Sequence, residues 1–121
     1  MSASIGGYYL GFVLSNAGQD IVAASGSTTT GTAFLLHTVT AGKKLYVTSA
    51  TLQADNTSGT IALHDGTPGA GTVRFLIEVG GLANTPLSVS FATPLEFLDS
   101  VYVEAGASGL SKTGNISGWE Q

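Results

Sequence analysis

Val73-Arg-Phe-Leu-Ile-Glu-Val79 sets Val73, Phe75, Ile77 and Val79 on one side of an extended chain and Arg74 and Glu78 on the other. Side chains that alternate with a period of two mark a half-buried β-strand. Leu87-Ser-Val-Ser-Phe91 repeats the alternation with a cleaner division between apolar and hydroxyl faces. No stretch holds the 3.6-residue apolar period of a helix, and 17 glycines among many threonines, serines and valines work against one.

Outward from these two strands, the same signals predict strands over Tyr8 to Leu14, Asp20 to Ala24, Thr32 to Thr40, Lys44 to Gln53, Thr60 to His64, Ser100 to Ala105 and Asn115 to Trp119. Turn-forming clusters separate them: Gly26 to Gly31, Thr40 to Gly42, Ala54 to Gly59, Asp65 to Gly71, Gly80 to Pro86 and Gly106 to Gly109. Pro86 and Pro94 each precede an apolar run, where a missing N–H is tolerated at a strand start or edge, and are expected to mark strand entries. About nine short strands at this spacing predict an all-β fold, an antiparallel β-sandwich of jelly-roll or related Greek-key type. The expected core is Leu45, Val47, Leu52, Ile61, Leu63, Phe75, Ile77, Val89, Phe91, Val101 and Val103.

A chain of 121 residues without a long linker or internal repeat reads as a single domain, residues 1–121, large enough to bury a core. Hydrophobic residues make up 43% and exclude a disordered chain. Charged residues are only 10%, where an average domain carries roughly a quarter, and Asp20 is the one formal charge between Met1 and Gly42. Part of such a surface is expected to be covered by partners. Lys43, Lys44, Arg74 and Lys112 are too few and too scattered to neutralise phosphates, so nucleic acid is not an expected partner. No run approaches the roughly 20 apolar residues of a membrane span, and no membrane partner is expected. The apolar run Ile5 to Leu14 lacks the basic flank of a signal peptide and carries a Gly6-Gly7 pair. It is expected to be either an N-terminal arm, within residues 1–14, that reaches a neighbour, or the first strand of the sandwich.

The catalytic inventory is thin. His64 and Asp65 adjoin each other, but a triad needs its carboxylate to orient the ring from a separate position, and no G-x-S-x-G elbow is present. His37 falls within a strand. Glu78 with Glu104, and Glu96 with Asp99, are the nearest carboxylate pairs by strand logic, and solvated outward positions explain them equally well. Asp55 to Gly59 lacks the clustered acids of a calcium loop, and Asp65 to Gly71 has neither the lysine nor the helix of a phosphate loop. With no cysteine, thiol and Cys-zinc chemistry are excluded. The expectation is therefore a non-enzyme with no catalytic residues, no metal and no cofactor.

Two uncharged β-prone windows, Thr32 to Gly42 and Gly80 to Leu95, would be unprotected edges in a monomer. A closed homo-oligomer, a trimer or another ring, would cover them. Aromatic and apolar residues near the two ends, Ile5, Tyr8, Tyr9, Phe12 and Trp119, are the candidate interface.

Phe91-Ala-Thr-Pro-Leu-Glu-Phe97, Ser100-Val-Tyr-Val-Glu104 and Gly114-Asn-Ile-Ser-Gly-Trp119, with Leu45-Tyr-Val-Thr-Ser49 and Ile61-Ala-Leu-His-Asp-Gly66, resemble the closing and central strands of small β-sandwich structural proteins of tailed bacteriophages. The resemblance spans the last two-thirds of the chain by pattern and brings no functional residue with it. It implies a virion protein that decorates and cements the outer capsid surface as trimers bound to the phage major capsid protein. The alternative is a glycan-binding or adhesion module of a phage tail or fibre, in which exposed Trp119, Tyr8, Tyr9, Tyr46 and Tyr102 would stack on sugar rings.

Overall fold

The computed structural model describes residues 19–29, 33–55, 59–67, 70–79, 84–105 and 111–121. Among them are eight strands and no helix: β1 (Asp20–Thr28), β2 (Ala33–Thr38), β3 (Leu45–Ala54), β4 (Thr60–Asp65), β5 (Thr72–Glu78), β6 (Leu87–Phe97), β7 (Ser100–Ala105) and β8 (Lys112–Glu120). They form two four-stranded sheets, in the orders β1-β8-β3-β6 and β2-β7-β4-β5. Every pairing is antiparallel. First pairs with eighth, second with seventh, third with sixth and fourth with fifth, as when one long hairpin is rolled over itself. That order is a jelly roll, the expected class of sandwich. The expected strand Tyr8 to Leu14 lies outside the described residues.

Alternation explains the core. Leu45, Val47 and Leu52 from the first sheet meet Ile61, Leu63, Val101 and Val103 from the second, all buried. Phe75, Ile77, Val89 and Phe91 are partly buried against them, and Phe75 meets Phe91 edge-on at 5.2 Å to close one flank. Val22, Val39, Ala50, Ala54, Val79, Phe97 and Ile116 complete the buried cluster.

Bulges account for two departures from the sequence reading. Leu63 pairs with Phe75 but His64 pairs with Val73, so Arg74 is an extra residue in β5. An inserted residue exchanges faces. Val73 therefore leaves the core side on which strict alternation places it, and stands 47% exposed. On β6, Val47 faces Leu95 while Ser49 faces Ser90, so Phe91 to Pro94 stand opposite Thr48 alone. Pro94 lies in that irregularity on an edge strand, where no ladder bond is lost, rather than at a strand start. β1 also runs on through Gly26 to Thr28, which by composition reads as turn. Both uncharged windows supply edge strands, β2 to the second sheet and β6 to the first.

Candidate interaction surfaces

The few ionisable groups tie the sandwich together. Asp65, at the end of β4, accepts the amides of Leu98 at 2.9 Å, Asp99 at 3.0 Å and Ser100 at 3.4 Å, and a bond from Arg74 Nη2 at 3.3 Å. Burial works to raise this carboxyl, but the three amides and the guanidinium outweigh it and hold Asp65 below its ordinary range. Those amides lie on the turn from β6 to β7, so one side chain fastens the crossing between sheets.

Glu120, buried at the end of β8, receives His37 Nε2 at 2.6 Å and the amide of Thr40 at 3.2 Å. Burial again opposes ionisation, and bonds from Thr40 and His37 overcome it and lower the carboxyl. His37 is on β2 and Glu120 on β8, so this pair also joins the two sheets. Lys43 bonds Asp20, which raises the lysine, and Lys44 lies 3.7 Å from Glu96. Lys112 is buried, and desolvation lowers it against the opposing pull of Asp55 and Glu104.

These roles decide the pairings weighed from sequence. Asp65 does not orient its neighbour His64, whose Nε2 bonds Glu104 at 2.8 Å and whose Nδ1 is buried without a hydrogen-bond partner. No hydroxyl is therefore bonded to that ring nitrogen as a nucleophile would be. Glu78 pairs with Thr60 on the sheet edge, whereas Glu104 is engaged by His64 across Ala62. Glu96 faces Lys44, and Asp99 accepts the Ser100 hydroxyl at 3.3 Å. Among the described residues no three His, Asp or Glu side chains group to hold a metal.

The two outer faces differ in chemistry. On the second sheet, pairing aligns Leu35, Tyr102, His64 and Val73 in one row and Ala33, Glu104, Ala62 and Leu76 in the next. Leu35 is 49% exposed and Leu76 52%, and with Val73 they are three of the five exposed large apolar residues among those described. His64, between Tyr102 and Val73, is only 7% exposed. The first sheet instead carries rows of Ala23, Ser117, Ser49, Ser90 and of Ser25, Asn115, Thr51, Ser88. Ser49 bonds Ser117 at 2.6 Å and Thr51 bonds Ser88 at 2.9 Å. A shallow depression of about 270 Å³ crosses the β1–β8 ladder beside Ser25, Asn115 and Ser117.

At one end of this hydroxyl face Ile21, Trp119 and Tyr46 are aligned across β1, β8 and β3. The Trp119 and Tyr46 rings stack at 5.4 Å and 25°. Trp119 is thus half-buried against Tyr46, one of the tyrosines of the sugar-stacking alternative, although the sequence did not show that these two rings meet. Ile5, Tyr8, Tyr9 and Phe12 of the expected interface lie outside the described residues. Leu35, Val73 and Leu76 were missed as surface residues, Val73 because of the bulge.

Comparison with protein-family models finds no match, and no curated protein is similar to the chain.

Proposed function

We propose that this chain is a non-enzymatic structural protein of a bacteriophage virion, a capsid decoration protein that binds the outer head surface and stabilises it as a closed homo-oligomer, a trimer by the sequence reading. The observation that carries this reading is the outer face of the second sheet, where Leu35 stands exposed beside Tyr102 on one edge strand and Val73 and Leu76 stand exposed on the other. A binding surface needs exposed apolar area rather than reactive groups. The described ionisable side chains support the same view, because Asp65, Glu120, His37 and His64 are engaged in bonds that hold strands together. Jelly rolls serve viral capsids and lectins alike, so the fold supports the class without choosing within it.

The test is co-sedimentation with empty heads assembled from the major capsid protein of the phage whose genome carries the gene, followed by thermal melting of the particles. A ligand that binds only the assembled shell raises its melting temperature. Leu35→Glu should abolish binding and leave the β-rich circular dichroism intact. Absence of wild-type binding to the heads would reject the proposal.

Glycan binding is favoured by a different observation, the Tyr46–Trp119 stack at the end of an uncharged hydroxyl face. Stacked rings beside hydroxyl and amide groups suit a neutral sugar. Binding to a glycan array that Trp119→Ala removes would establish this second reading, and an array without signal would exclude it.

A further inference from the structure

β5 is the most exposed of the described strands and forms one edge of the second sheet, and among the described residues nothing pairs with its outer side. It carries two of the five exposed large apolar residues, Val73 and Leu76, and even its inward-facing Phe75 and Ile77 are only half-buried. A long apolar edge with unpaired N–H and C=O groups is a template for another strand. The residues around Leu76 say which strand fits. Arg74-Phe-Leu-Ile-Glu78 places opposite charges two positions either side of Leu76, with an apolar residue between each charge and the centre.

We propose that β5 is a self-recognition edge, along which two copies pair antiparallel about a two-fold axis at Leu76, with Arg74 of each copy facing Glu78 of the other. In that register Leu76 meets Leu76, and each Phe75 meets Ile77 of the second copy. A two-fold contact is isologous, so a single self-complementary pattern supplies both halves. Opposite charges directly across antiparallel strands attract and like charges repel, which fixes this register against a slip.

Both charged groups can serve. Glu78 is exposed, and Arg74 gives Asp65 only a long 3.3 Å bond with its side chain 35% exposed, leaving further N–H donors of the guanidinium for a second carboxylate. The other edges lack this symmetry. β6 is interrupted in its middle by its irregularity and Pro94, whereas the bulge of β5 lies at Arg74, at the end of the regular Phe75 to Glu78 stretch; β2 has no formal charge to set a register, and β1 has its one charge, Asp20, bonded to Lys43 at the strand start.

Pairing along β5 does not depend on the capsid reading. A two-fold contact acting alone makes a dimer, and joined to the proposed trimer it pairs two trimers into a hexamer.

Because the chain has no cysteine, Leu76→Cys introduces a single thiol directly opposite its own copy. Cα atoms across an antiparallel pair are about 4.5–5.5 Å apart, within the range that a disulfide spans. Mild oxidation at micromolar concentration should convert Leu76→Cys to a covalent dimer, whereas Leu98→Cys, at a turn position where the native leucine is 53% exposed, should cross-link at least tenfold more slowly. Equal rates for the two variants, or no cross-linking of Leu76→Cys, would overturn the proposal, as would sedimentation showing only monomers or only trimers.

Glu78→Arg sets arginine against arginine and should weaken self-association at least tenfold. Mixing it with Arg74→Glu restores both charge pairs in a heterodimer, and circular dichroism on each variant checks that it folds. Folded variants that fail to associate on mixing would also overturn the proposal.

Discussion

Asp65→Ala removes the carboxylate that holds the β6–β7 turn to the end of β4. Two of its bonds are of ordinary length, from the amides of Leu98 at 2.9 Å and Asp99 at 3.0 Å. Each hydrogen bond to a charged group is worth about 1.5–3 kcal/mol. Leu98 and Asp99 lie on an exposed turn where water can replace the lost acceptor, so the lower figure applies to each. The Ser100 bond at 3.4 Å and the partly exposed Arg74 at 3.3 Å add little. The expected loss is about 3 kcal/mol, which lowers a urea midpoint by about 1.5 M for a slope near 2 kcal/mol/M.

The pH dependence gives an independent check. The folded carboxyl lies below its ordinary value of 3.8, so its stabilisation is fully present above that value and is lost as pH falls through the lower, folded one. Urea titrations at a series of pH values should show a gap between wild type and variant that is constant from about pH 7 to 5 and closes below about 3.8. A gap under about 1 kcal/mol at pH 7, or one that persists in acid, would refute the argument that these amides stabilise the fold through the charged carboxylate.

Gly118→Ala should destabilise by about 3 kcal/mol or more in the same assay, since its Cβ would sit 1.9 Å from the Tyr46 carbonyl oxygen and force β3 and β8 apart. Gly42→Ala meets nothing within 4 Å but has φ of +82°, so only the left-handed strain of about 1–2 kcal/mol is expected. Leu63→Ala, fully buried between the sheets, should lose about 3–4 kcal/mol in chemical denaturation. Glu120→Gln should lose about 1–2 kcal/mol at pH 7 by weakening the bond to His37. Because the Glu120 carboxyl is also held below its ordinary 4.5, that difference should shrink as pH falls below about 4.5, measured by thermal melting across pH.

The fold class was legible because the information is local. Ser100 to Ala105 coincides with β7, and each of the eleven expected core residues packs in or against the core. Alternation determines which face of a strand is buried before anything is known of its neighbours. Sparse charge likewise marked Thr32 to Gly42 and Gly80 to Leu95 as edges in need of cover, and the strands described within them, β2 and the Leu87 to Leu95 part of β6, lie at sheet edges.

What alternation does not carry is a change of register. Arg74 and the Phe91 to Pro94 stretch are extra residues only relative to the strands beside them, so Val73 reads as core until β4 is laid alongside and turns it outward. Sequence by itself determined a hydroxyl-rich, low-charge β-sandwich and its core. Only the tertiary structure decided that Asp65 serves the β6–β7 turn rather than His64, that Tyr46 stacks on Trp119, and that Leu35, Val73 and Leu76 share a face. These are contacts between residues remote in the chain, and winding the hairpin into a roll is what brings them together.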